Sequence, residues 1–158
     1  EKTNKLVEII KKQNYPVSIK LSLGVTNVEK EYKVYLQNIL GTNADEYIIQ
    51  TKTSVQKSGE EYDNSVLEEC VDTGKTIIAN GGIDTVDKMN KIKKIGCSGV
   101  MVGRGAILNP AIFNELKGKK TKSVSELAID YKELRDKYEE KEKYYSNFLN
   151  VLKTKKFY

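Results

Sequence analysis

Two short apolar runs, each closing on a glycine-rich turn and separated by a helical segment, constrain this chain more than any other feature. Thr76-Ile77-Ile78-Ala79 enters Asn80-Gly81-Gly82-Ile83, and Gly99-Val100-Met101-Val102 enters Gly103-Arg104-Gly105. Short apolar runs bounded by turn residues read as strands. Between them Val86, Met89, Ile92 and Ile95 recur at helical spacing and predict one face of a helix turned to the sheet. Strand, loop, helix, strand, loop is the repeating unit of a parallel sheet, whose neighbouring strands need a long crossover connection. Both glycine loops leave the carboxyl ends of their strands. Ligands of α/β proteins sit at those ends, and in a closed barrel the loops after the last two strands often hold a phosphate.

The rest of the chain repeats the pattern. Asn4 to Gln13 carries Leu6, Val7, Ile9 and Ile10 on one face of a short predicted helix, ended by Pro16. Val17 to Leu23 alternates and stops at Gly24, as a strand does. Val28, Tyr32, Tyr35, Leu36 and Ile39 fall at helical spacing up to Gly41. Ala44 to Gln50 predicts a second strand, Thr51 to Tyr62 a polar loop, and Val66, Leu67, Cys70 and Val71 the face of a short helix. Asn109-Pro110 reads as an N-cap with proline at the first helical position. A helix followed by four strand–helix units predicts an all-parallel α/β fold. Four strands are half of an eight-stranded barrel, which typically takes about 250 residues. The residues therefore leave two architectures: an open sheet, or the C-terminal half of a (β/α)8 TIM barrel followed by an α-helical appendage.

That appendage begins after Leu116. Gly118-Lys119-Lys120-Thr121-Lys122 is a polar linker. Val124, Leu127, Tyr131, Leu134 and Tyr138, then Tyr145, Phe148 and Leu152, predict two helices or one interrupted helix. The expected domains are residues 1–116, a half-barrel, and 117–158, a basic helical segment. The formal net charge is +5; Lys117 to Tyr158 holds twelve Lys+Arg and seven Asp+Glu, so the whole excess lies in that segment. A basic segment on a balanced body fits a polyanion partner, nucleic acid first, and fits equally a solvated lysine-rich helix.

Composition removes several chemistries. The chain has no histidine, hence neither the commonest general base nor the commonest zinc ligand. Cys70 and Cys97 have no metal-like spacing, so no metal site is expected, and two cysteines in 158 residues suit a reducing compartment, the cytoplasm. No apolar run approaches the roughly 20 residues of a membrane helix. Three candidates remain for binding. Gly81-Gly82 can bring backbone close to a ligand. Gly103-Arg104-Gly105 does the same and adds a guanidinium suited to gripping a phosphate. Lys20 lies near the end of its strand on the rim that carries the glycine loops. Tight strand–helix turns and a solvated edge lysine are the structural alternatives.

Taken in order, these residues resemble the tRNA-dihydrouridine synthase family. Val17 to Gly24, VSIKLSLG, is similar to the family's fifth barrel strand, with its flavin-contacting lysine at Lys20. Ala44 to Thr53, ADEYIIQTKT, sits where the sixth strand and its His-Gly-Arg-Thr motif belong. Ser58 to Asp63, SGEEYD, fits the following loop. IANGGI, Ile78 to Ile83, is similar to the family's Asn-Gly-Asp-Ile phosphate loop, and Gly96 to Pro110, GCSGVMVGRGAILNP, is the closest match. The resemblance covers Pro16 to Leu116, and the tail is compatible with the family's C-terminal helical domain.

The resemblance implies an FMN-dependent enzyme that reduces uridines of tRNA to 5,6-dihydrouridine. In that family NADPH reduces the flavin, the flavin passes a hydride to the uracil ring, and a cysteine acid protonates the neighbouring carbon. By carry-over, Asn80, Gly81 and Gly82, with Gly103 and Arg104, hold the FMN phosphate. Lys20 lies by the flavin ring, Gln50 hydrogen-bonds flavin or base, and the basic tail contacts tRNA. Three departures stand out. Gln50-Thr51-Lys52-Thr53 replaces His-Gly-Arg-Thr, and Gly82 replaces an aspartate. Nothing matches the Asn-x-Gly-Cys-Pro motif that carries the family's catalytic cysteine, so no catalytic residue is assigned and the chain is expected to be inactive alone. Two further readings stay open: a non-catalytic tRNA-binding remnant of the family, and another phosphate-binding flavin-barrel oxidoreductase acting on a small metabolite.

Overall fold

A computed structural model describes residues 2–57 and 59–154. The described chain forms two compact units. The first holds the residues up to Ile83 and Asp87–Met101; the second holds Asp84–Val86 and the described residues from Val102 onward.

The first unit is built on one four-stranded sheet: β1 (Ser18–Ser22), β2 (Glu46–Gln50), β3 (Ile77–Asn80) and β4 (Gly99–Met101), in the order β1-β2-β3-β4. Every pairing is parallel. Helices lie between the strands: α1 (Lys2–Lys11), α2 (Asn27–Glu31), α3 (Val34–Leu40), α4 (Val66–Val71) and α5 (Val86–Ile95). Register and alternation sort the side chains onto two faces. Tyr47, Ile49, Ile77 and Ala79 share one face and are buried, in a core with Val7, Tyr35, Ile39, Leu67, Cys70 and Ile92 from the helices. The other face carries Lys20, Ile48, Gln50, Ile78, Asn80 and Met101, registered across the four strands; Lys20 is exposed and the others are half-buried. A doubly wound open sheet buries both faces under helices. Here one face is buried and the other remains partly open, as on the inner side of an incomplete barrel.

Three local expectations differ from the structure. The periodic run from Val28 to Ile39 is two helices, because Lys33 adopts a left-handed conformation at φ 52° and breaks the ladder. Val28 and Tyr32 consequently point to solvent, while Tyr35 and Ile39 are buried. On α5 only Ile92 of the predicted face is buried, and Val86 is exposed. Asn109 closes a helix and does not open one. Its Oδ1 accepts a hydrogen bond from the Ala111 amide at 3.1 Å and its Nδ2 donates to Glu115 at 2.9 Å.

The second unit holds α6 (Arg104–Leu108), α7 (Ile112–Leu116), α8 (Val124–Lys137) and α9 (Glu142–Thr154). Ser123 and Glu126 form a reciprocal capping box at the start of α8. Tyr131 of α8 packs edge-on to Phe148 of α9, with ring centroids 5.1 Å apart, and lies 5.9 Å from Tyr145. The tail is thus two packed helices, one of the two arrangements its periodicity allowed.

Candidate functional site

The open face of the sheet carries Lys20 at the middle of β1, and Gln50 and Asn80 at the carboxyl ends of β2 and β3. Lys20 pairs in register with Ile48, and Gln50 with Asn80. The three differ in what their side chains already do. Among the described residues, Lys20 and Gln50 make no side-chain hydrogen bond or ion pair, so their donors face water. Asn80 is committed: its Nδ2 donates to the Met101 carbonyl at 2.9 Å and braces β3 against β4. It acts here as a strap that fixes where the following glycines begin.

Those glycines are both left-handed, Gly81 at φ 134° and Gly82 at φ 62°. The ring of Tyr62 lies against them. A Cβ on Gly82 would stand 2.7 Å from Tyr62 Cδ2, and one on Gly81 would stand 2.6 Å from Tyr62 Cε1. Only glycine fits at either place, on conformational and on steric grounds. Gly103 and Arg104 belong to the second unit. Gly103 is exposed with open space around its Cα, and Arg104, also exposed, begins the five-residue helix α6.

The segment read from sequence as a polar loop hides its first three residues. Thr51, Lys52 and Thr53 are 0%, 3% and 2% exposed. Backbone pairing carries on past β2: the Leu23 amide donates to Lys52 O at 2.9 Å, and the Asp63 amide to Thr51 O at 2.9 Å. Thr51 Oγ1 donates to Asn64 Oδ1 at 2.8 Å. Lys52 Nζ donates to the Lys57 carbonyl at 2.9 Å and stands 4.4 Å from the centre of the Tyr62 ring. Tyr62 thus borders the candidate glycine loop and Lys52 lies against its ring, and sequence reasoning gave neither a role. A lysine in a Thr-Lys-Thr stretch carries no burial signal, since lysines are almost always exposed.

Neither cysteine belongs to the strands that form the open face. Both are free and buried. Burial, with help from the Glu69 carboxylate, pushes the Cys70 thiol up to about 12, and burial also raises that of Cys97. Among the described residues no three His, Cys, Asp or Glu side chains gather as a metal-ion site, and no helix is long and apolar enough to cross a membrane.

The family model described as dihydrouridine synthase matches residues 2–157. The chain belongs to the dihydrouridine synthase family. It is 29% identical over 147 residues to the probable tRNA-dihydrouridine synthase 2 of Bacillus subtilis (strain 168), covering 87% of this chain and 44% of that one. It is 30% identical over 122 residues to the probable tRNA-dihydrouridine synthase of Aquifex aeolicus (strain VF5), covering 76% and 38%. With a tRNA-dihydrouridine(47) synthase [NAD(P)(+)]-like protein of Xenopus tropicalis it shares 25% identity over 130 residues, 78% of this chain and 20% of the relative. The chain thus spans less than half the length of these curated relatives. Within the family, its four parallel strand–helix units and C-terminal helices are those of a partial (β/α)8 barrel.

Proposed function

We propose that this chain is the cofactor-holding part of a tRNA-dihydrouridine synthase, which reduces uridine in tRNA to 5,6-dihydrouridine with FMN and NADPH. The observation that carries the reading is the open sheet face, where Lys20 at mid-β1 and Gln50 at the end of β2 present unengaged donors on the same face as Asn80, which leads into the left-handed Gly81-Gly82 loop. That donor set fits FMN. An ammonium suits an electron-rich ring that gains negative charge on reduction, an amide suits its carbonyl and nitrogen edge, and loop amides suit a phosphate. FMN supplies the hydride chemistry when bound, and the protein's part is to bind and orient it. Asn80 serves by strapping β3 to β4, which fixes where the glycine loop starts. Gly103 and Arg104, by family resemblance, give the second phosphate loop, with Arg104 as its cation.

In this reading residues 1–116 are the barrel-derived part and 117–158 the basic segment that meets tRNA phosphates, in the cytoplasm. The chain alone forms no dihydrouridine, because no cysteine on the open face can donate a proton. A remnant that binds tRNA without flavin is the competing reading, favoured by Gln50 and Gly82 standing where the family motif has histidine and aspartate. Titration of the purified chain with FMN, followed by quenching of flavin fluorescence, separates the two. Saturable binding that weakens at least tenfold in Lys20→Ala and in Arg104→Ala is expected. No binding at micromolar FMN would leave the remnant. NADPH-dependent formation of dihydrouridine in tRNA by this chain would refute its inactivity.

A further inference from the structure

Lys52 has no role in the reading so far, and packing does not explain it. Its side chain is buried, and its ammonium meets one carbonyl, that of Lys57, and one aromatic face, that of Tyr62. No carboxylate lies among its described partners. A buried ammonium without a counter-ion is destabilising, and a methionine would fill the same space without that desolvation. What the charge does accomplish is to draw the electron-rich face of a ring toward it. That ring is in turn the surface against which Gly81 and Gly82 lie. It fills the volume that a Cβ on either glycine would need, while Thr51 Oγ1 closes on Gly81 from just past the end of β2, 3.1 Å from where its Cβ would stand. Two consecutive left-handed glycines are otherwise the most permissive backbone in the chain.

We propose that Tyr62 is a positioning residue for the Gly81-Gly82 loop, and that Lys52 holds its ring in place. The ring restricts both glycines to the conformation in which their amides receive an anion, so ordering of the loop precedes binding. A preformed loop binds more tightly because less conformational entropy is lost on association. The lysine adds a second effect: its charge, one aromatic ring away from the loop, contributes to a positive potential there. This role rests on the FMN reading for its ligand, but the ordering of the loop is a property of the ligand-free protein.

The test compares the full chain with Tyr62→Phe, Tyr62→Ala, Lys52→Met and, as a packing control, Leu67→Ala in the core of α4. Two quantities are read: the Kd for FMN, and amide hydrogen exchange of Gly81 and Gly82 without ligand. Tyr62→Ala is expected to weaken FMN at least tenfold and to speed exchange at the loop. Tyr62→Phe keeps the ring and stays within twofold of wild type in both. Lys52→Met falls between them, three- to tenfold. Leu67→Ala lowers the thermal midpoint without moving the FMN Kd, which a merely structural account of Tyr62 does not predict. Wild-type affinity or wild-type exchange in Tyr62→Ala overturns the proposal. If Tyr62→Ala does not fold, the same two quantities in Lys52→Met decide, and wild-type values there overturn it. If the wild-type chain binds no FMN, the flavin reading falls. Loop exchange alone then judges the positioning role, with unaccelerated exchange counting against it.

Discussion

Tyr47 shows how a single buried polar atom fixes local geometry. The side chain is fully buried in β2, yet its hydroxyl is saturated: it donates to the Thr42 carbonyl at 2.7 Å, accepts from the Ala44 amide at 3.1 Å and lies 2.9 Å from Thr42 Oγ1. The turn that feeds β2 is thus tied to the strand it enters. Tyr47→Phe keeps the ring and strands a buried amide and carbonyl. It is expected to cost about 1–3 kcal/mol of stability, measured by urea denaturation with an unchanged m-value. At this scale the sequence was legible where alternation rules. The sequence read Val17 to Leu23 as a strand from its alternation, and β1 lies there; that Lys20, Gln50 and Asn80 share one face comes from the strand register. It was illegible where burial depends on distant loop residues. Lys52 is covered by Lys57 and Tyr62, five and ten positions on, in a stretch with no periodicity to announce them.

Among the elements, α1 is the one most dependent on polar ties. Val7 is buried, but Leu6, Ile9 and Ile10 are exposed. Asp45 does much of the anchoring: Lys11 pairs with it at 2.8 Å and the Val17 amide donates to it at 2.7 Å. The Lys11 ammonium, then the Val17 amide, hold the Asp45 carboxyl below the ordinary aspartate range. A carboxyl depressed by folding contributes stability that is complete above its unfolded pKa of about 3.9 and is lost as the pH falls through its folded value. Asp45→Asn should therefore flatten the acid limb of the stability–pH profile below about pH 4, and hydrogen exchange in α1 should quicken at neutral pH. In the second unit, Ser123→Ala removes the cap of α8, a loss of about 0.5–2 kcal/mol expected to show as reduced helical ellipticity. α1, α4, α5, α8 and α9 were legible from apolar spacing, whereas α6 and α7 carry no such signal. The break at Lys33 was not legible, because the spacing runs straight through it. The break is set by a tertiary contact: it turns α3 so that the Tyr35 hydroxyl and the Lys33 ammonium both meet Glu69 of α4. Burial first, then Glu69, drive the Tyr35 phenol upward, so that pair is a neutral donor on a carboxylate.

For the molecule as a whole, the charge asymmetry makes the sharpest forecast. The +5 excess lies wholly in residues 117–158. If that segment meets tRNA, the logarithm of the binding constant should fall linearly with the logarithm of salt concentration, by roughly 0.7–0.9 per phosphate neutralised. Replacing Lys117, Lys119 and Lys120 by glutamine should lessen that slope by about 2–3, and a filter-binding titration at several salt concentrations checks it. Lys122 is a poorer choice, since Asp130 already pairs with it at 2.7 Å. The parallel architecture was fully readable from four repeats of strand, loop and helix. The choice between an open sheet and a partial barrel was not, because that depends on which sheet face the helices leave uncovered.

The strand order β1-β2-β3-β4 has a consequence for how the protein comes into being. Each strand's new partner is the one made just before it, so no strand waits for a later one in order to find its neighbour. A chain leaving the ribosome at about 5–20 residues per second can add each strand–helix unit to a finished edge. Loop closures stay short even though every pairing is parallel. Synthesis and assembly then proceed in the same order. Each new unit covers the growing edge left by the one before it, which shortens the time that edge spends open to other chains, while the outer edge of β1 has no partner among the described strands.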